Sequence, residues 1–157
     1  MEAIESMLAE HPFLQGLEPR HFQLLAQCAV EAQYKSGEFL CRGDLEATQF
    51  FLIYHGRVAV EIFSARRGPI TIQTLGDGDV LGWLWYEKPY HWHFDARAME
   101  PSRVVILDVR CLFDKFEQNH ELGYQVMKRY AHHIAVQFRV SKLQLMDMYG
   151  SEKHWGR

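Results

Sequence analysis

Carboxylates, imidazoles and indoles crowd together between Gly76 and Arg97, where the chain runs GDGDVLGWLWYEKPYHWHFDAR. Asp77, Asp79, Glu87 and Asp95 supply the acids, His91 and His93 the imidazoles, and Trp83, Trp85 and Trp92 the indoles. His91 and His93 are two residues apart, so on a strand both face the same side. That makes them a candidate ligand pair for a metal or a haem, but a metal site ordinarily takes three or four donors. Spacing offers no third ligand: Cys28, Cys41 and Cys111 are remote in sequence, and His132 and His133 are adjacent on a helix and diverge. Aspartates beside glycines ordinarily shape turns. No nucleophile, base and orienting group stand in a readable arrangement, so no catalytic residues, metal or cofactor are expected. The remaining chemistry is recognition. Glycines at 76, 78 and 82 permit close backbone approach, and the aromatics that follow either line a pocket for a ligand or fill that pocket themselves.

Such a stretch needs a frame, and the flanking sequence describes one. Ile4, Met7 and Leu8 recur at helical spacing, and Pro19 can open a second short helix carrying Phe22, Leu24, Leu25 and Cys28. From residue 29 to about 110, short β-rich runs (VEAQY, EFLC, QFFLIY, RVAVEIF, PITIQTL, ARAM, RVVILDV) alternate with glycine, proline and aspartate turns. This punctuation predicts a sandwich, barrel or jelly roll. RVAVEIF alternates around Val58, Val60 and Ile62 as if one face is buried, whereas QFFLIY reads as covered on both sides. The tripeptide Arg42-Gly43-Asp44 reads as a turn between strands.

After Cys111 the pattern is helical. Residues 120–149 contain no proline and predict a helix of roughly 45 Å, too long for the rest of the domain to cover. Tyr124, Met127, Ala131, Ile134, Phe138, Ser141, Leu145 and Met148 recur in steps of three and four. Leu122, Val126, Tyr130, Val140 and Leu143 form a second stripe. One stripe suits the chain's own β-domain, and the other suits a second copy. A homodimer through residues 120–148 is therefore expected, with Met127, Ala131, Ile134, Phe138 and Leu145 at its interface.

Totals narrow the class. A chain of 157 residues with 48% apolar and 24% charged residues fits one globular domain. A net charge of −3 exerts no general pull toward nucleic acid or an anionic membrane. Three widely spaced cysteines read as reduced thiols rather than a disulfide framework. No run is apolar enough to span a bilayer, and MEAIESMLAEHPF lacks a basic-then-apolar leader. A cytoplasmic location is expected.

Three segments carry a family resemblance, in order along the chain. They are Gly37-Glu38 and Gly43-Asp44 leading through Phe51-Leu52-Ile53 to Gly56; Gly76-Asp77-Gly78-Asp79-Val80-Leu81-Gly82; and Arg103-Val104-Val105-Ile106-Leu107. With two short leading helices and a long closing one, the chain resembles the cyclic-nucleotide-binding domain of the catabolite activator/FNR-type (CRP/FNR-like) regulators over about residues 10–148. The resemblance implies a mainly β fold with flanking helices: a double-stranded β-helix jelly roll, cupin-like, followed by a long dimerisation helix. It implies one domain over 1–150, with N-terminal helices in 1–28, the roll in 29–110, the phosphate-binding cassette in 76–98, C-terminal helices in 111–149 and a tail in 151–157. It also implies a regulatory role in signal transduction.

The residues depart from that pattern where the phosphate would sit. The family's ribose-binding glutamate after the cassette glycine corresponds to Trp83, after Gly82. Its phosphate-binding arginine and the following Ser or Thr correspond to Trp92 and His93. An arginine offers a phosphate a fixed positive fork, whereas an indole offers one N–H. Ordinary binding of cAMP or cGMP is thus not expected. A small-molecule ligand is sought among Gly82, Trp83, Leu84, Trp85, Trp92, His93 and Arg97 of the cassette, and Gln137, which with Phe138 matches the helix position that touches the ligand's base. The alternatives are a cyclic-nucleotide regulator with an atypical site, a ligand-free interaction scaffold, and a cupin-like metal or haem protein. No helix-turn-helix pattern follows the long helix in this sequence, so direct nucleic-acid binding is not expected.

Overall fold

The computed structural model describes residues 2–84 and 91–155, with the side chains of residues 3–84 and 91–148. Helix α1 (Glu2–Glu10) leads through a single 3₁₀ turn (Pro12–Leu14) to α2 (Pro19–Ala26), whose proline takes the first position as expected. Eight strands follow among the described residues: β1 (Ala29–Tyr34), β2 (Phe39–Cys41), β3 (Gln49–His55), β4 (Val58–Ser64), β5 (Gly68–Leu75), β6 (Val80–Leu81), β7 (Asp95–Ala98) and β8 (Ser102–Asp108). Helix α3 (Val109–Gln118) and the long α4 (His120–Trp155) close the chain. Thus α4 continues through the segment read as a tail, reaching about 54 Å at helical rise.

The strands form two antiparallel sheets, in the orders β1-β8-β3-β6 and β2-β7-β4-β5. This is the expected jelly roll. Strand β3 has one sheet face on each of two cores, because alternate side chains point to opposite sides. Phe50 and Leu52 join Leu8, Leu25, Leu112 and Leu122 beneath the helices. Phe51 and Ile53 join Val58, Val60, Ala96 and Val104 between the sheets. Strand β4 departs from its expected pattern. Val58 and Val60 are buried, but Ile62 is 44% exposed. Pairing of β4 with β7 ends at Glu61 and Asp95. Beyond that point β4 and β5 continue as a two-stranded ribbon on which Ile62 and Phe63 stand exposed.

The cysteines also depart from expectation. Cys28 and Cys111 form a disulfide across 83 residues, their Cα atoms 5.6 Å apart, and Cys41 is a buried free thiol. Wide spacing in sequence concealed a meeting in space: Cys28 lies between α2 and β1, and Cys111 in the first turns of α3. The Asp108 side chain caps α3 through the Cys111 N–H at 2.8 Å, and the Asp108 N–H donates to the Cys28 carbonyl at 2.9 Å.

His11 ties the 3₁₀ turn to the roll. Its Nδ1 accepts the Phe13 N–H at 3.2 Å, which leaves Nε2 to donate to the Ile53 carbonyl at 3.0 Å. Burial pushes the His11 pKa below its usual 6.5, and does the same to His133 on α4. Both imidazoles therefore take up a proton more readily in the unfolded chain. Below about pH 6.5 the unfolded state binds more protons, so stability is complete above that value and falls with acidification. The melting temperature is expected to drop between about pH 7.5 and 5.5, and to drop less in His133→Gln. A midpoint that holds steady or rises over that interval would contradict this.

Candidate functional site

The site begins with the turn at 76–79. Asp79 closes it by accepting the Gly76 N–H at 2.8 Å, and Asp77 accepts the Gly56 N–H at 3.0 Å. The Gly78 N–H and Ile53 N–H exchange bonds with the Ile53 and Asp79 carbonyls, both at 2.9 Å. The aspartates are thus turn-makers, as their setting suggested. Strand β6 then leads to Gly82, at φ +121°. A Cβ there would stand 2.9 Å from the Gln49 carbonyl oxygen and 3.1 Å from the Trp92 ring, so only glycine fits.

Trp92 fills the space beside that glycine. It is 4% exposed and packs in the core between the sheets, with ring centroids 5.5 Å from Phe94 and 6.3 Å from Phe51. The Arg42-Gly43-Asp44 turn fixes its backbone. The Asp44 N–H donates to the Trp92 carbonyl at 3.0 Å, and the Trp92 N–H donates to the Leu45 carbonyl at 2.9 Å. The Gly43 N–H adds a bond to the Asp95 carboxylate at 2.7 Å. These bonds hold the indole where the family resemblance puts an arginine.

An open cleft of about 370 Å³ remains between the cassette, β5 and α4. Val60, Leu75, Val80 and Leu81 are among its apolar walls; Trp83 and Phe94 add aromatic surface. From α4 come Tyr130, His133, Ile134, Gln137 and Phe138. Strand β5 carries one extra residue against β4, since Val60 pairs with Gln73 and Glu61 with Thr71. This bulge brings the consecutive residues Ile72 and Gln73 to the cleft. Gln73 Nε2 donates to Gln137 Oε1 at 2.8 Å, bridging β5 and α4. Tyr130 Oη reaches the Gly82 carbonyl at 3.4 Å, and burial pushes its pKa up to about 12. His133 stays neutral near pH 7 because burial lowers its pKa. No arginine or lysine is among the described residues lining this cleft.

Of the residues sought from sequence, Gly82, Trp83 and Gln137 meet at the cleft. Leu84 and Trp92 are buried in the cores instead. His93 is exposed and lines a separate depression with Arg42 and Asp44. His91 is exposed as well, its backbone bridged to Glu46. Arg97 holds Glu61 in a two-pronged ion pair at 3.1 and 3.0 Å, with Glu61 nearly buried, so its charge is committed outside the cleft. Trp85 lies outside the described residues. Among the described residues, no group of three or more His, Cys, Asp or Glu side chains is placed to hold a metal ion. Tyr130 and His133 were missed as cleft residues, although only two helical turns and one separate them from Gln137. Gln73 and Ile72 were hidden by the bulge.

Residues 31–119 match the model of the family described as cyclic nucleotide-binding domain. No curated protein sequence matches the chain. Solved structures share the fold. A cyclic nucleotide-binding domain from Methylobacillus flagellatus is 18% identical at a TM-score of 0.77, with 92% of this chain and 82% of that one covered. The sensor domain of the transcriptional regulator DNR from Pseudomonas aeruginosa is 13% identical at 0.69, covering 88% and 93%. The regulatory subunit of a cAMP-independent protein kinase A from Trypanosoma cruzi, bound to guanosine, is 24% identical at 0.67, covering 92% of this chain and 50% of that one. The chain belongs to the cyclic nucleotide-binding domain family, a family of regulatory modules, and it shares its β-roll fold with these solved structures. No described helix is long and apolar enough to cross a membrane.

Proposed function

We propose that this chain is a regulatory sensor domain that has exchanged a cyclic nucleotide for an uncharged, flat heteroaromatic ligand held in the cassette cleft. The observation that carries this reading is Trp92, packed and hydrogen-bonded through its backbone, at the position the family resemblance gives to a phosphate-binding arginine. A phosphate buried there would lack a cation among the described residues, and an unpaired buried charge is costly. A neutral ring system meets no such cost. It would lie against Trp83 and Phe94, with the Gln73 and Gln137 amides to pair with its polar edge. That a protein of this fold has been solved with guanosine, a nucleoside without phosphate, supports the choice of ligand class.

The output in this reading is α4. Leu122, Val126 and Tyr130 bury one face of it against the roll, while Ile134, Phe138, Leu145 and Met148 stand exposed beyond. A second copy would cover that apolar stripe, and ligand-dependent contacts at His133 and Gln137 would bias how the pair packs. Light scattering should give a dimer, and Ile134→Asp with Phe138→Asp should give a folded monomer. A monomeric wild type would remove the dimer from the account. The ligand class is tested with guanosine as probe, by calorimetry on the intact chain. Saturable binding that weakens at least about tenfold in Trp83→Ala is expected; binding indifferent to that change would place the nucleoside elsewhere and defeat the reading.

A further inference from the structure

A second groove, of about 660 Å³, borders the cassette cleft and shares Val80, His133 and Gln137 with it. Its walls are the segment at 12–16, the turn at 78–80 and α4 between Lys128 and Gln137. Those walls are clamped together. His11 anchors the first wall to β3, and Gly78 brings the turn against Pro12, where a Cβ would stand 3.4 Å from the proline ring. The Arg129 Nη2 donates to the Gln15 carbonyl at 2.9 Å, fastening the first wall to α4. Walls fastened in this way have little freedom left to lose, which reduces the ordering cost of binding.

Its charge is uneven. Lys128 and Arg129 both line it. Among the described residues Arg129 donates to neutral acceptors, the Gln125 carbonyl and side chain and the Gln15 carbonyl, at 2.9 to 3.0 Å. Lys128 rests its ammonium over the Tyr124 ring at 5.3 Å. Neither has a carboxylate partner among the described residues. The facing carboxylate is Asp79, which is engaged by the Gly76 N–H. Apolar surface completes the groove: Pro12 and Phe13, whose ring meets His133 edge-on at 6.4 Å, and Val136. Two cations with no carboxylate partner among the described residues, lining a part-aromatic groove in a chain of net charge −3, select an anion with an aromatic body.

We propose that this groove is a second ligand site, distinct from the cassette cleft, for a small aromatic anion whose carboxylate or phosphate is held by Lys128 and Arg129 while its ring lies on Phe13 and Pro12. The site does not depend on what the cassette binds. Naphthoate and its neutral counterpart naphthamide serve as probes in equilibrium dialysis against the intact chain. Naphthoate should bind at one site and weaken with rising salt, with naphthamide at least about tenfold weaker. Arg129→Gln should lower naphthoate affinity, and so should Lys128→Gln, an exposed position whose change leaves the wall clamps intact. Trp83→Ala, in the other cleft, should leave it unchanged. Equal binding of the two probes, indifference to Lys128→Gln, loss in Trp83→Ala, or no binding at millimolar naphthoate would each overturn the site.

Discussion

Trp92→Ala should destabilise the domain by about 4 kcal/mol, the range for removing a large aromatic from a packed core. The indole touches Phe94, approaches Phe51 and closes on Gly82, so its loss opens a cavity at the junction of cassette and roll. Trp92→Phe keeps much of that volume and should lose far less. Urea denaturation of the three proteins measures both differences. A change below about 1 kcal/mol for the alanine variant would mean that the indole is not core material and that the phosphate position is not blocked.

Breaking the Cys28–Cys111 disulfide should have an effect of similar size, about 4 kcal/mol, because it closes a loop of 83 residues in the unfolded chain. The bond fastens the α2–β1 junction to α3, the segment from which α4 departs. Adding a reductant or introducing Cys28→Ser should therefore lower the denaturation midpoint alike, and the two should not add. Thiol titration of the unreduced, denatured protein should count one free cysteine, Cys41. A count of all three cysteines, with a midpoint unmoved by reductant, would show that the pair stays reduced.

Much of the frame was legible because its signals are local. Each of the seven β-rich runs became a strand, since period and turn residues both act within a few positions. Strand β6 was not read: two residues, Val80 and Leu81, inside a glycine-rich turn carry no period. The inward stripe of α4 was legible in its first half, Leu122, Val126 and Tyr130, because a helix repeats its faces over many residues, whereas Val140 and Leu143, read with it, stand exposed. Long-range facts were not legible. The disulfide depends on where α3 docks, and the exposure of Ile62 depends on where β7 ends. In the cassette, a tryptophan, Trp92, at the position the family resemblance gives to an arginine was visible in sequence. The inward packing of its ring was not, because it follows from bonds to the turn at 42–45, far away in the chain. His93 and Arg97 were sought at the same pocket, but the register of β7 turns Arg97 to Glu61, and His93 lies on the depression beside Arg42.

The exchange of phosphate recognition for aromatic recognition is tested most directly by calorimetric titration of the intact chain with cAMP and cGMP beside guanosine. The account predicts that guanosine binds while neither cyclic nucleotide produces binding heat at micromolar concentrations. Micromolar binding of cAMP or cGMP would contradict it, since a cation for the phosphate would then have to stand where Trp92 is packed.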